Sequence, residues 1–592
     1  MKVSGRVLGM AALIGSCAAS CGGDLAQERA PELSDGEFDT FATGGKEDGG
    51  FGPCVVERVL AFVNAPGTDL IVLKKAGLHT KAAQEIVAAR LGPDGVVGTE
   101  DDLTFADLVA LDGVKFVGPV AMEQLAAHVE AACAVSPPLV EVIFSPQPFE
   151  SSHLVKVAEA IDGAVVSVDV AMYSFRDAGI TAALARAADR GVQIRMVFET
   201  ASKDKSKPEG SASGRLEAAG VDVRYVNKIM HHKFAIIDGP LFDLGQAGSA
   251  TLITGSANWS NSAATRYDEN TLFINGEAEL ALSYQREFNH LWASAREFVG
   301  PASVVKVDPL PITEADIPGS PDVEALFTSG NFDVFESDAG PGFSRVRGRS
   351  AVSDRLVEFI QGAESSILIG SGHLRSRPVA EALIKKRQER PDVEIRVALD
   401  AQEYISRFTQ SKEQGALEDC LESVGEDADA QEDCLESGFH FGLDLADAGI
   451  DVRYKWYSYR WHHATAVQLH HKVLIIDRET LITGSYNLSP NAEYNTIENM
   501  TVLRGARFAP LVASYVKNLD ELWTLGEAEG AFESLIAEIV GGSGPVPLVF
   551  KPMSLNWEQV TSYRGAVIAA CPAVNDAEFR SHPERHFTCE RR

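Results

Sequence analysis

From residue 138 onward the chain alternates short apolar runs with longer amphipathic stretches. VEVIFSP, VVSVDVAMYSF, VQIRMVFE, VDVRYV, KFAIID, TLITGS and TLFIN fall before residue 300. SSILIGSG, VEIRVALD, AGIDVRY, KVLIID, TLITGS and NMTVL follow in the second part. Short runs rich in Val and Ile, bounded by turn residues, predict strands. AGITAALARAADRG, at 178–191, has helical periodicity instead. The expected class is therefore α/β, with mixed sheets flanked by helices. The order of runs occurs twice, and Ala219–Tyr225 (AGVDVRY) nearly matches Ala448–Tyr454 (AGIDVRY), so the chain reads as a duplication. Residues 54–134 differ: 73–90 and 111–129 each read as helix, tight turn, helix.

The resulting division is a signal-like segment 1–16, an acidic tether 17–50, a small helical domain 51–137 and a first α/β half 138–305. A Pro-rich acidic linker 306–330, a second half 331–530 and a C-terminal extension 531–592 follow. Residues 1–16 place Lys2 and Arg6 before a short apolar core and small residues, as secretory signals do. Leu13-Ile14-Gly15-Ser16 before Cys17 resembles a bacterial lipobox, which implies acylation at Cys17, with Cys21 the weaker alternative. The expected location is the cell envelope, lipid-anchored or secreted. The tether carries eight acids against two bases over 24–50 and reads as disordered. No apolar run reaches the length of a membrane-spanning helix.

The chain has 592 residues, 45% of them hydrophobic, and a formal net charge of −31. That charge disfavours general polyanion binding but leaves local basic patches open. In an exported chain six cysteines form local pairs, Cys54–Cys133, Cys420–Cys434 and Cys571–Cys589, one of several connectivities. They lack the clustering and His partners of a zinc site. The acidic loop 93–102 lacks the ligand spacing of an EF-hand.

The chemistry concentrates in two similar stretches, 231–270 and 470–499. Both read His-x-Lys-x4-Asp, then Thr-Gly-Ser-x-Asn-x-Ser, then Glu-Asn. His231, Lys233 and Asp238 correspond to His470, Lys472 and Asp477. From Asn258 to Glu269 and from Asn487 to Glu498 the spacing is 11 residues, and the copies differ by a ten-residue loop, 239–248. On a strand, residues i and i+2 share a face, so His and Lys project together while His232 and His471 point away. An imidazole, an ammonium and an amide on one patch suit a phosphodiester. Lys and Asn, with Ser256 and Ser485 beside them, hold the oxygens, and His attacks phosphorus or moves a proton. In each copy the Glu sits where it can orient the imidazole through its second nitrogen. Two copies facing each other across a pseudo-twofold axis supply the two imidazoles such a cleavage needs.

The doubled HxKxxxxD and GSxN pattern resembles the phospholipase D superfamily over roughly 140–300 and 335–525. The resemblance implies a phosphohistidine intermediate, no metal and no cofactor. It implies His231 as nucleophile, His470 as general acid and base, and Lys233, Lys472, Asn258 and Asn487 as phosphate ligands. Asp238 and Asp477, the third members of the motif, are more often structural in such proteins. The expectation is a monomeric phosphodiesterase hydrolysing phospholipid to phosphatidic acid and alcohol. A nuclease of the same superfamily is the alternative, because AMYSF resembles its compact nucleases and Val117–Ala121 resembles a helix-hairpin-helix. A non-catalytic surface binding protein is the third reading, and the two intact His-Lys-Asn sets argue against it. Two insertions distinguish the second half. One, 401–440, repeats EDCLES and reads as a disulfide-tied surface loop or lid. The other, 456–469, is rich in Trp, Tyr and His, including His462 and His463, and is placed to line a headgroup pocket, touch a lipid interface or stack bases.

Overall fold

The computed structural model describes residues 51–93, 102–130, 139–299, 309–457, 466–527, 530–541 and 551–570, apart from positions 52 and 66. The signal and tether with Cys17 and Cys21, most of the acidic loop, and His462 and His463 lie outside the described residues. So do Cys133, Cys571, Cys589 and the side chain of Cys54.

The first half contributes β1 (Val140–Ser145), β2 (Ser167–Met172), β3 (Gln193–Phe198), β4 (Asp222–Tyr225), β5 (Lys233–Ile237), β6 (Thr251–Gly255), β7 (Glu269–Asn275) and β8 (Arg296–Glu297). The second contributes β9 (Val323–Phe327), β10 (Ser366–Ser371), β11 (Glu394–Asp400), β12 (Asp451–Trp456), β13 (Lys472–Ile476), β14 (Thr480–Gly484), β15 (Asn499–Leu503) and β16 (Met553–Asn556). The first sheet runs β1-β7-β6-β5-β2-β3-β4-β8 and the second β9-β15-β14-β13-β10-β11-β12-β16, the same order with every index raised by eight. In each sheet the strand pairs β2–β3–β4 and β10–β11–β12 are parallel and the rest antiparallel. This is the expected α/β architecture of two like halves preceded by a helical domain.

Three expectations need correction. β9 lies inside the stretch read as linker 306–330, because a five-residue edge strand among acids and prolines carries little apolar signal. β16 lies inside the extension 531–592 and completes the second sheet; Met-Ser-Leu-Asn has no β-branched residue, and pairing with β12 makes it a strand. The 401–440 insertion contains two helices, Arg407–Val424 and Ala428–Leu435, joined by a Cys420–Cys434 disulfide with Cα atoms 5.9 Å apart.

Strand alternation sorts the core. Phe234 and Ile236 of β5, with Val473 and Ile475 of β13, point between the halves. There they meet Tyr284 and Phe288 of helix Ala278–Ala293 and Val512 and Tyr515 of helix Ala509–Trp523. Ala235 and Ile237 face the opposite way, toward helices His153–Asp162 and Ala178–Arg190, and Leu474 and Ile476 do the same in the second half. Each large aliphatic side chain buried between the halves is worth about 1.5–3 kcal/mol, so the shared apolar core holds the two halves together at their seam. The N-terminal helices pack around Phe62, Leu73, Ile86, Phe105 and Leu125. Arg58 ties them to the first half through Asp238 at 2.9 Å.

Candidate active site

His231 and His470 precede β5 and β13, with Lys233 and Lys472 as the first residues of those strands. The seam holds both. The backbone N–H of His231 donates to Ile497 O (2.9 Å), and that of His470 donates to Asp268 O (3.0 Å). Ile497 and Asp268 each precede the Glu of the opposite half, so each half presents its carboxylate to the other's imidazole. His231 Nδ1 lies 2.8 Å from Glu498 Oε2, and His470 Nδ1 lies 2.7 Å from Glu269 Oε1. The orienting glutamates therefore work in trans, which corrects the expectation that each serves its own copy. The next residues cross too. His232 Nδ1 lies 2.9 Å from Asn499 Oδ1 and His471 Nδ1 lies 3.1 Å from Asn270 Nδ2, both pairs buried.

A hydrogen bond from His231 Nδ1–H to the Glu498 carboxylate leaves His231 Nε2 with its lone pair toward the cleft. Lys233 Nζ is 3.2 Å from His231 Nε2, and Lys233 and Lys472 each donate to the carbonyl of their own His at 2.7 Å. Burial dominates the electrostatics. It lowers the His231 imidazole to about 4 against the pull of Glu498. It holds His470 well below its ordinary value, helped by the charges of Lys472 and Lys233. Burial also lowers the ammonium of Lys233 to about 7 and that of Lys472 to about 8. Both histidines are thus neutral near pH 7, while Lys233 is about half charged there and Lys472 mostly charged. The glutamates differ. Burial pushes Glu269 up to about 7. Burial acts the same way on Glu498, but His231, Lys233 and the Ser485 hydroxyl outweigh it and leave that carboxyl below its ordinary value. Ser485 Oγ donates to Glu498 at 2.6 Å and Thr496 Oγ1 at 2.8 Å. The carboxyl held below its ordinary value faces His231, and the one pushed up faces His470.

A pH prediction follows from the lysines. Because kcat/KM reports groups of the free protein, it should fall on the alkaline side from about pH 7, as Lys233 loses the charge that grips phosphate. Lys233→Arg keeps that charge, so it should lower the plateau and move the limb upward. A wild-type profile flat to about pH 9 would contradict this assignment.

Asn258 and Asn487 follow β6 and β14 at the turn that Thr-Gly-Ser builds, half-buried, and their Oδ1 atoms have no protein partner. The glycines are needed for close approach: a Cβ on Gly255 would sit 2.3 Å from Asn270 O, and one on Gly484 would sit 2.2 Å from Asn499 O. Ser256 and Ser485, expected to bind substrate, are fully buried and serve the glutamates instead. Ser485 Oγ also accepts the Asn499 N–H at 3.0 Å, and Ser256 Oγ accepts that of Asn270 at 3.0 Å.

Asp238 and Asp477 are not in the site. They lie at the far ends of β5 and β13, with φ of 50° and 55°. Asp tolerates that left-handed backbone better than most residues. Asp238 accepts N–H groups from Val165, Val166 and Ser167 (2.7–3.2 Å), and Asp477 accepts them from Glu364, Ser365 and Ser366 (2.6–3.0 Å). Asp238→Ala should cost about 2–4 kcal/mol of stability by orphaning those amides, with turnover per folded molecule near normal. Thermal unfolding beside an activity assay checks this, and a loss of turnover without a fall in Tm would return Asp238 to the chemistry.

Sequence reading passed over several neighbours. Tyr173, of the AMYSF run, packs edge-on against His231 with centroids 4.5 Å apart. Tyr267 flanks His470 at 6.3 Å. His373 follows β10 and binds the buried Glu403 through Nδ1 at 2.8 Å. Aligning SGHLRS with AMYSF would have exposed that His. Among the described residues no group of three or more His, Cys, Asp or Glu is arranged to hold a metal ion.

The family model described as cardiolipin synthase, PLD-like domain, matches residues 157–292 and 356–523, just over half of the chain. The chain is 31% identical over 149 residues to a mitochondrial cardiolipin hydrolase of Xenopus laevis, covering 25% of this chain and 64% of that protein. It is 32% identical over 147 residues to the human protein of that name, covering 24% and 53%. It spans roughly half to two thirds of the length of the curated relatives it matches (52% to 64%). Among solved structures, Nuc of Salmonella typhimurium, a phospholipase D family member, matches with 17% identity and a TM-score of 0.21, covering 34% of this chain and 95% of that one. Phosphatidylserine synthase of Haemophilus influenzae matches with 11% identity and a TM-score of 0.42, covering 66% and 90%. With one His-Lys strand inside each matched segment, the chain belongs to the phospholipase D superfamily.

Proposed function

We propose that this protein is a phosphodiesterase that cleaves phospholipid to phosphatidic acid and an alcohol through a phosphohistidine. The observation that carries the reading is the pair of neutral imidazoles at one seam, each held through Nδ1 by a glutamate of the other half, with two buried lysines beside them. His231 Nε2 attacks phosphorus and the phosphodiester bond to the alcohol breaks. The Glu269–His470 pair carries the proton, since Glu269 is pushed up to about 7: His470 gives its Nε2 proton to the departing oxygen as Nδ1 takes the one on Glu269, and both shifts reverse when His470 draws a proton from the water that cleaves the P–N bond. Lys233, Lys472, Asn258 and Asn487 stabilise charge on the non-bridging oxygens.

Cardiolipin hydrolases among the relatives favour a phospholipid. The net charge of −31 disfavours nucleic acid, whose binding rests on cations. Because one chain supplies both imidazoles, a monomer suffices. The proposal includes export and acylation at Cys17, supported by the charged, apolar and small-residue order of 1–16.

The test incubates the purified protein with mixed phospholipid vesicles plus a primary alcohol, and separately with single- and double-stranded DNA. A phosphohistidine transfers to alcohol as well as to water, so phosphatidyl alcohol should appear. DNA cleavage lost in His470→Ala, without any lipid product, would replace phospholipid with nucleic acid and leave the two-His chemistry in place.

A further inference from the structure

The two sides of the seam differ. Met172 lies opposite Lys233 and Ser371 opposite Lys472. Tyr173 of the first half therefore corresponds to Gly372 of the second, and Ser174 to His373. Hydrogen bonding agrees: the Tyr173 N–H donates to His232 O (2.9 Å) and the Gly372 N–H donates to His471 O (3.1 Å). The Tyr173 ring closes one side of the His231 imidazole. Gly372 offers no ring, and even a Cβ there would stand 3.0 Å from Leu469 O and 3.9 Å from His470 Cδ2. No side chain thus stands beside His470 where Tyr173 stands beside His231, and the next residue, His373, is about a quarter exposed (26%) and close enough for its charge to act on His470.

His373 is held by a built support. Its Nδ1 is 2.8 Å from Glu403 Oε1, and Glu403 is 1% exposed. That carboxylate also accepts the Leu374 N–H (3.2 Å) and the Arg375 guanidinium (2.8 Å through Nη2). A carboxylate so surrounded stays ionised and keeps the proton of the His373 ring on Nδ1, which leaves Nε2 to accept or donate a hydrogen bond.

We infer that His373 is a specificity-determining residue that hydrogen-bonds a hydroxyl of the leaving alcohol, selecting uncharged polyol headgroups of the glycerol type over quaternary ammonium headgroups. This rests on the phospholipid reading. In an in-line displacement by His231 the leaving oxygen lies on the His470 side, where Gly372 carries no side chain and His373, held through Nδ1, keeps Nε2 for a ligand. A quaternary ammonium would want an exposed carboxylate or an open aromatic face. Among the described residues, the carboxylate there, Glu403, is buried and already engaged by donors. The Tyr267 ring beside His470 already carries the Arg266 guanidinium at 5.8 Å from its centroid.

The test compares kcat/KM on vesicles of phosphatidylglycerol, vesicles of phosphatidylcholine, and bis(p-nitrophenyl) phosphate, which has no hydroxyl headgroup. Wild type should prefer phosphatidylglycerol to phosphatidylcholine. His373→Ala should lower the ratio of phosphatidylglycerol to bis(p-nitrophenyl) phosphate turnover at least tenfold, and His373→Gln, which still hydrogen-bonds, should recover part of it. If the alanine variant does not fold, the same ratio read on His373→Leu, which keeps bulk and cannot hydrogen-bond, decides the matter. Equal losses on all three substrates, or a wild-type preference for phosphatidylcholine, would overturn the inference and leave the phospholipid reading intact. Turnover of bis(p-nitrophenyl) phosphate with neither lipid cleaved would overturn both.

Discussion

His231→Ala and His470→Ala should each lower phosphodiester turnover by about 10⁴-fold or more, and the double variant should be no worse than the poorer single one. The two imidazoles act in one sequence of bond changes, so removing either halts it. Both variants should stay folded, because the imidazoles face the cleft and the seam is held by the apolar core between the sheets. Labelled substrate, quenched in alkali where phosphohistidine survives, should leave phosphate on His231 and none on His470. Near-normal turnover in His231→Ala would end the two-His mechanism. Label on His470 alone would exchange the two roles and keep the mechanism.

The second large effect concerns the crossed glutamates. Glu498→Gln should cost about 10²–10⁴-fold, since an orienting carboxylate sets both tautomer and position of its imidazole. Its target is His231, the nucleophile of the proposed mechanism, so the loss should appear with every leaving group. Glu269→Gln acts through His470, whose proton is needed most by a poor leaving group. With a p-nitrophenyl ester the departing phenolate needs little protonation. Glu269→Gln should therefore leave the initial burst of nitrophenol largely intact and slow the steady state, whereas Glu498→Gln should suppress the burst. If each glutamate instead served the histidine of its own half, the two variants would show the opposite pattern. Stopped-flow absorbance separates the two cases.

Most of the chemistry was legible in the sequence because it is local. His-x-Lys at the start of a β-branched run fixes which two side chains share a face. Thr-Gly-Ser-x-Asn specifies a turn that only glycine can bring so near the next strand, as the 2.3 and 2.2 Å approaches at Gly255 and Gly484 confirm. The duplication was equally plain, since Val, Ile and Leu recur in the same order. Strands lacking that apolar signal were missed. β9 and β16 are edges of the second sheet, where one side meets solvent or a helix and four or five residues suffice.

The sequence by itself determined the class, the doubling, and the identity of the His, Lys and Asn groups at the seam. The tertiary structure alone decided which glutamate serves which histidine. Glu269 and Glu498 each lie far along the chain from both imidazoles, and spacing carries no information about contacts made across a symmetric seam. Folding resolved it by pairing the residue before each Glu with the opposite His backbone. It also decided that Ser256 and Ser485 brace the glutamates and that Asp238 and Asp477 brace distant turns. A residue's position in a motif gives its direction along a strand, and only the packed neighbours determine what that direction meets.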